Sequence, residues 1–148
     1  MRLTRATEYS VRCILYLAQQ DQGVIANRKE IAKAMEIPHQ FLGKIAQNLA
    51  KQGIIEIVQG AKGGLRLKVP PERLTLLDVV EAEIGEIFLN DCVLRPDSCR
   101  RSPSCSVHKV WVKARDQLRD TLMKVTISSL LKEDTCMDSL LNNQCNEE

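Results

Sequence analysis

The chain has 148 residues, enough for one compact domain or for a small domain with an oligomerisation arm, because a separate hydrophobic core usually needs on the order of 100 residues. Aromatic residues make up only 3% of the sequence, which argues against a reader of single-stranded nucleic acid that stacks bases on aromatic rings. Residues 1–75 carry 12 Lys and Arg against 6 Asp and Glu, residues 76–148 carry 9 against 13, and a basic front half suits a phosphate backbone.

The sequence predicts a cytoplasmic protein that does not contact a membrane. It contains no apolar run of about 18 residues, the length that spans a bilayer, and its start lacks the apolar segment and cleavage site of a secretory signal. In a reducing compartment, the six cysteines favour metal binding or redox chemistry over structural disulfides.

Three helices are predicted in the front half of the chain. The first covers residues 5–19, where apolar side chains recur at helical spacing. Asn27, followed by Glu30, has the form of an N-cap with an acidic residue in the first turn, which indicates a short second helix. Pro38 ends it, and a third helix follows and ends near Gly53. The apolar residues of the third helix are Phe41, Leu42, Ile45 and Leu49.

A β-hairpin is predicted directly after the third helix. Residues 54–59 form a β-branched run, residues 60–64 read GAKGG, and residues 65–69 alternate between apolar and basic side chains. Glycine supplies the positive φ that a tight hairpin turn requires. The order of two helices, a turn, a recognition helix and a hairpin predicts a winged helix-turn-helix domain over residues 1–75.

The polar face of the third helix and the hairpin contain the candidate DNA contacts. Glutamine can read adenine, and lysine can reach guanine or phosphate, although such residues also occur on ordinary solvated helix faces. A lysine among glycines can neutralise a phosphate at close range, although the same glycines also suit a plain hairpin turn. The candidate DNA-binding residues are Arg2, Arg5, His39, Gln40, Lys44, Gln47, Lys62 and Gly63.

The back half, residues 76–148, is predicted to contain a helix, a loop, a long helix and a polar tail. Thr75 and Asp78 mark the start of the first of these helices, and residues 85–104 show no sustained period. A helix of roughly 25 residues follows, with one apolar stripe that favours homodimerisation because the helix cannot bury the stripe against itself. The stripe comprises Val107, Trp111, Ala114, Leu118, Leu122 and Val125.

Four potential metal ligands lie close together in the loop before the long helix. Cys92, Cys99 and Cys105 are separated by six and then five residues, and His108 follows after two more. Cys105 and His108, at i and i+3, share one helix face. Long, uneven gaps favour an iron-sulfur cluster over zinc, which more often binds cysteine pairs two residues apart, and unligated thiols remain a third interpretation.

The other cysteines take no part in this constellation. Cys13 lies on the apolar face of the first helix, where it is predicted to be a small core residue. Cys136 and Cys145 have no role indicated by their spacing.

Together, these features resemble the bacterial winged helix-turn-helix iron-sulfur regulators that include IscR, NsrR and RirA. The resemblance is carried by MRLTRATEY at the start, by residues 37–67 with the wing GAKGG, and by the cysteine loop followed by Trp111. It implies a homodimer, crossed through the long helix, that binds palindromic promoter DNA and holds one cluster per subunit.

The resemblance also implies a ligand set. Three cysteines and a histidine, as in IscR, fall on Cys92, Cys99, Cys105 and His108 and imply a 2Fe-2S centre, although the gap between the first two cysteines is one residue longer here. The resemblance to nitric-oxide-sensing, NsrR-like members implies a second possibility, because Glu8 falls where they have a carboxylate that reaches a 4Fe-4S cluster across the dimer. Glu8 is therefore an alternative fourth ligand, and 4Fe-4S stays open.

The sequence therefore predicts a DNA-binding transcriptional regulator that senses iron-sulfur status, redox stress or nitric oxide. A zinc- or thiol-dependent regulator on the same scaffold is the alternative. A cysteine enzyme is disfavoured because the chain has two histidines and no recognisable nucleophile-and-base motif. A pure adaptor protein would have no use for the wing.

Overall fold

The computed structural model describes residues 3–133 and confirms the mainly helical fold with a small β-hairpin. Two single 3₁₀ turns, at Pro96–Ser98 and Ser102–Ser104, lie in the loop before the long helix. The elements in the described range are α1 (Arg5–Gln19), α2 (Arg28–Ala34), α3 (His39–Lys51), β1 (Ile55–Val58), β2 (Gly64–Leu67), α4 (Leu76–Ile84), α5 (Asp91–Leu94), α6 (Ser106–Met123) and α7 (Ile127–Glu133).

Side-chain caps start the helices where the sequence predicts them. The Asn27 side chain accepts a hydrogen bond from the Lys29 amide at 2.8 Å and begins α2. Thr75 and Asp78 form a reciprocal capping box at the start of α4. These short-range contacts satisfy amides that have no partner within a helix, so the starts of α2 and α4 are encoded locally.

The hydrophobic core is aliphatic and is built around α1. This helix packs against α3, α4, α7 and β2. Cys13 is completely buried, which confirms it as a core residue, and burial raises the pKa of its thiol to about 12. Other fully buried side chains are Ile14, Ile31, Leu42, Ile45, Leu49 and Leu65.

The core continues past residue 75, the predicted boundary between the two halves. α4 packs against α1, and α7 returns to α1 with Ile127 fully buried in the same core. The Ile127 amide donates to the Leu74 carbonyl at 2.8 Å. The division at residue 75 stays a prediction about function, since the packing joins the two halves.

The hairpin is attached to the helix-turn-helix by a backbone bridge. β1 and β2 pair antiparallel, from Ile55 opposite Leu67 to Val58 opposite Gly64. Leu65 also exchanges hydrogen bonds of 2.8 and 2.9 Å with Ala26 in the α1–α2 loop. A Cβ on Gly64 would lie 2.1 Å from the Ala26 carbonyl oxygen, so this close approach requires glycine.

The predicted length of the long helix is wrong. α6 has 18 residues and ends at Met123, so Val125 of the predicted stripe lies outside it. The Val125 carbonyl accepts a hydrogen bond from the Leu76 amide at 2.8 Å. The Thr126 hydroxyl accepts one from the Ser129 amide and begins α7. Because the helical spacing of apolar residues continues into α7, the spacing alone does not reveal that α6 ends at Met123.

None of the helices in the described part of the chain is long and apolar enough to cross a membrane.

Candidate DNA-binding surface and candidate metal centre

The recognition helix α3 presents a polar face to solvent. Its opposite face is fixed in the core by Leu42, Ile45, Ala46 and Leu49. The side chains predicted to contact DNA, which are His39, Gln40, Lys44 and Gln47, are all exposed. The arrangement matches what a helix needs in order to enter a major groove with its polar side chains first.

The turn between α2 and α3 contains a strained residue. Glu36 has φ +52°, a left-handed conformation that usually belongs to glycine at this place after a helix. The next residue, Ile37, is buried and donates its amide to the Ala32 carbonyl at 2.9 Å. The left-handed residue and this 6→1 hydrogen bond are features of a Schellman turn at the end of α2.

Glu83 joins three helices and was missed by the sequence analysis. Its carboxylate accepts one hydrogen bond from the hydroxyl of Ser10 on α1, at 2.8 Å, and one from the amide of Asn48 on α3, at 3.1 Å. Ser10 is completely buried. The contact fixes the recognition helix against α1 and α4. A glutamate on an amphipathic helix gives no signal of such a role before its neighbours are known.

The tip of the wing exposes Lys62, and the glycines beside it have reasons within the hairpin. Gly60 has φ +103°, as the turn requires. A Cβ on Gly63 would lie 2.2 Å from the Val58 carbonyl oxygen. Close packing inside the turn therefore explains Gly63 by itself, and its contact with DNA stays a prediction.

Basic residues extend the candidate DNA surface beyond α3. Arg5 is exposed at the start of α1, whereas Arg2 lies outside the described residues. On the wing, Arg66 forms an ion pair with Glu56 on the facing strand. Hydrogen bonding to Arg66 and its positive charge lower the pKa of Glu56.

The structure brings two of the predicted metal ligands into contact. Cys92 lies in α5 and His108 in the first turn of α6, and the Cys92 Sγ lies 3.3 Å from the His108 Nδ1. Cys99, which is exposed, lines a shallow surface pocket together with His108. Cys105 is the N-cap of α6 and is half-buried.

The four donors are close in the fold but are not assembled around one point. Within residues 3–133, no three His, Cys, Asp or Glu side chains are grouped closely enough to hold a metal ion. The chemistry of the donors nevertheless fits a soft metal or an iron-sulfur cluster, since they are three thiols and one imidazole. Cys105 lies at the positive end of the α6 dipole, where an anionic group is favoured. The Ser102 hydroxyl, buried at the same pocket, has no hydrogen-bond partner.

Glu8, the alternative fourth ligand, is occupied elsewhere. It lies on α1 and forms an ion pair with Arg12, one turn further along the same helix. Arg12 also donates to the Met35 carbonyl at the end of α2 and lies over the ring of Tyr9. In the described structure, Glu8 is therefore linked to the helix-turn-helix and is not grouped with the cysteines.

α6 has an anchored end and a free end. Leu118 and Leu122 pack against a small core formed by α4 and Ile87, so part of the predicted dimerisation stripe is used within the chain. Arg119 and Arg115 form ion pairs with Glu81 and Glu86, respectively.

Apolar side chains at the free end of α6 are largely open to solvent. Val107 is 51% exposed, Val110 60% and Trp111 38%, whereas Ala114 is half-buried. Val110 was missed in the sequence stripe although it is one turn from Val107 and Ala114. These three large apolar side chains lie within one and a half helical turns and form an exposed hydrophobic patch, which is typical of an interaction surface.

Comparisons with known proteins agree with this architecture. The profile of the Rrf2 family, described as iron-dependent transcriptional regulator, matches residues 3–133. The chain is 30% identical over 149 residues to the HTH-type transcriptional regulator NsrR of Shouchella clausii, covering 100% of both.

Solved structures with the same fold include two named regulators. IscR of T. potens superposes with a TM-score of 0.71 at 20% identity, covering 100% of this chain and 94% of that one. The oxidized form of Staphylococcus aureus CymR superposes with a TM-score of 0.66 at 25% identity, covering 89% of this chain and 97% of that one.

The fold and the relatives define a DNA-binding transcriptional regulator of the winged helix-turn-helix class, and not an enzyme. More specifically, the chain belongs to the Rrf2 family.

Proposed function

We propose that this protein is a homodimeric, cytoplasmic regulator that binds palindromic promoter DNA and responds to an iron-sulfur cluster, with 2Fe-2S favoured over 4Fe-4S. The ligands are Cys92, Cys99, Cys105 and His108. The observation that carries the proposal is the 3.3 Å contact between Cys92 and His108 in a loop with two further thiols, within a family described as iron-dependent. A bound cluster would supply a redox-active group whose presence depends on iron, oxidants or nitric oxide.

The DNA contact is assigned to α3 and the wing. Gln40, Lys44 and Gln47 provide hydrogen-bonding groups for base edges, and Lys62 and Arg5 provide charge for phosphates. Because phosphate contacts release counterions, removing Lys62 should lower the slope of log affinity against log salt by about 0.9. Removing Gln47 should instead reduce discrimination between sequences.

The fourth ligand is assigned to His108 and not to Glu8. His108 already touches one of the cysteines and lies one turn from Cys105. Glu8 would first have to leave its ion pair with Arg12. His108→Ala should therefore loosen the cluster, whereas Glu8→Ala should leave its spectrum unchanged.

The homodimer is assigned to the free end of α6. Val107, Val110 and Trp111 are the side chains that a second copy would cover. A two-fold dimer would also supply the two recognition helices that a palindromic operator requires.

Anaerobic purification tests the proposal. We expect iron and acid-labile sulfide together with visible absorption near 400 nm, and loss of all three in Cys92→Ala, Cys99→Ala and Cys105→Ala. Cys13→Ala is the matched control, because its buried thiol should not affect iron content. A cluster that persists in the three loop variants would contradict the assignment. So would a cluster that is lost in Glu8→Ala but kept in His108→Ala.

A zinc- or thiol-dependent regulator is the second candidate, favoured by the exposed thiol of Cys99. It predicts stoichiometric zinc, or no metal, after anaerobic purification. It also predicts that a mild oxidant changes DNA affinity through the loop cysteines without any change in visible absorption.

A further inference from the structure

Six of the seven glycines in this chain have a reason within the chain to be glycine. Four of them have positive φ, between +72° and +103°, which L side chains rarely adopt. Gly63 and Gly64 have backbone oxygens 2.2 and 2.1 Å from the position of an added Cβ. The four with positive φ are Gly23, Gly53, Gly60 and Gly85.

Gly43 has neither reason. Its φ lies in the ordinary region, and among residues 3–133 an added Cβ would meet no atom within 4 Å apart from the backbone of its own helix. It lies in the interior of α3, where glycine is less favourable than alanine because it loses more backbone freedom on folding. Glycine therefore lowers the stability of α3 at this position, and packing within the described residues does not compensate for the loss.

The position of Gly43 identifies what benefits from the missing side chain. Gly43 is half-buried and lies one helical turn from both Gln40 and Gln47 and next to Lys44, about 100° around the helix axis from the buried Leu42. The polar face of the recognition helix thus has a gap beside the side chains suited to base edges.

We infer that Gly43 is the point at which the backbone of α3 touches the floor of the major groove, and that the gap sets how deeply this helix enters the DNA. The inference rests on the proposed DNA contact of α3. The neighbouring glutamines and lysine reach base edges only if the helix axis lies close to the bases, and a Cβ at position 43 would hold it away.

The test compares stability and DNA affinity in one variant. Gly43→Ala should raise the midpoint of thermal unfolding by on the order of 4 °C, because alanine favours the helix. It should weaken binding to a duplex selected by the parent chain from a randomised pool by roughly tenfold, and binding to a random duplex much less, since non-specific binding is mainly electrostatic. Gly43→Val should weaken selected binding further.

Asp120→Ala is the matched control. Asp120 is exposed near the C-terminal end of α6, on the face opposite Val107, so alanine there should also raise the midpoint of unfolding while DNA affinity stays unchanged.

Three results would overturn the inference. If Gly43→Ala is more stable and binds the selected duplex as tightly as the parent, no close approach exists. If it is less stable, Gly43 has an internal reason. If Gln47→Ala and Lys44→Ala bind the selected duplex as tightly as the parent does, α3 is not the helix that reads the DNA sequence. Failure of the parent to bind any duplex at low salt would instead refute the proposed function itself.

Discussion

The helix-turn-helix with its wing and the cysteine loop with the free end of α6 are built in opposite ways. In the first region, side chains from α1, α2, α3 and β2 bury one another, with Leu42, Ile45 and Leu65 fully buried. In the second, no residue of α6 is fully buried, and Val93 of α5 and Ser102 are the only buried residues among residues 91–105.

This difference shows which region is held in its conformation by packing within the chain. The DNA-reading half is stabilised by apolar burial that needs no ligand. The cysteine loop has few contacts that fix its donors, and the apolar turn of α6 faces water. Both features are expected of a region that is completed by a bound group and a second copy. The following predictions test this comparison.

The largest difference should appear when one apolar side chain is shortened in each region. Ile45→Ala should lower the free energy of unfolding by about 2–5 kcal/mol, because it leaves a cavity in the core. Leu94→Ala, at the exposed last residue of α5, should cost less than about 0.5 kcal/mol. Urea unfolding of both variants measures the two costs, and equal costs would remove the distinction between the regions.

A charge at the free end of α6 should break the proposed dimer without unfolding the chain. Val110→Asp places an unpaired carboxylate in the proposed interface and should weaken self-association by at least roughly a hundredfold. Sedimentation velocity would show the monomer, and circular dichroism would show intact helices. Lys109→Asp, at an exposed position on the side of α6 away from Val107 and Trp111, is the control and should remain dimeric. A dimeric Val110→Asp would place the interface elsewhere.

Removal of the carboxylate that joins the three helices should loosen the DNA-reading half from within. Glu83→Ala leaves the Ser10 hydroxyl and the Asn48 amide without their partner and should cost about 1–3 kcal/mol. Glu83→Gln can keep both contacts if the Asn48 amide turns over, so most of the stability should return. If both variants are equally destabilised, charge and not hydrogen bonding explains the role of Glu83.

The strained turn before the recognition helix should become more stable with glycine. Glu36→Gly removes the cost of a left-handed side chain, which is about 1 kcal/mol, and the extra freedom of glycine in the unfolded chain offsets part of this gain. Chemical denaturation should therefore show a small increase in stability. Glu36→Ala retains the strain and should show none, and a gain of the same size in this variant would reject the explanation.

The smallest effect concerns the wing and depends on pH. The pKa of Glu56 is lowered in the folded chain by Arg66, so the ion pair contributes stability above the pKa of an unfolded glutamate, about 4.3. This contribution is lost as pH falls through the lower pKa of the folded state. Glu56→Gln should thus be slightly less stable than the parent at pH 7, and the two should converge in acid. A difference that persists at low pH would point to packing.

Local signals in the sequence were enough to predict much of the fold. The apolar period located α1, and the caps at Asn27 and Thr75 located the starts of α2 and α4. The end of α6 was mistaken because α7 continues the same apolar period after Thr126. α5, a single turn, was too short to produce a period at all.

The candidate site was predictable in composition but not in geometry. The spacing of the cysteines predicted the candidate donors, yet only the packing of α5 against α6 places Cys92 beside His108. The roles of Glu83 and Gly64 depend on which distant atoms lie next to them, Ser10 and Asn48 in one case and the Ala26 carbonyl in the other. No local pattern encodes such neighbours.

Because α6 is held mainly at its C-terminal end, a small tilt of this helix would produce a larger displacement at its N-terminal end. Its C-terminal end is held by Leu122 and by the hydrogen bond between Val125 and Leu76, whereas the end with Cys105 and His108 is about 27 Å away at 1.5 Å per residue. A tilt of about 5° at the anchored end would move the far end by roughly 2 Å. In the proposed dimer, two recognition helices would have to match operator half-sites about 34 Å apart, and a rearrangement of the cysteine loop of this size would change that fit.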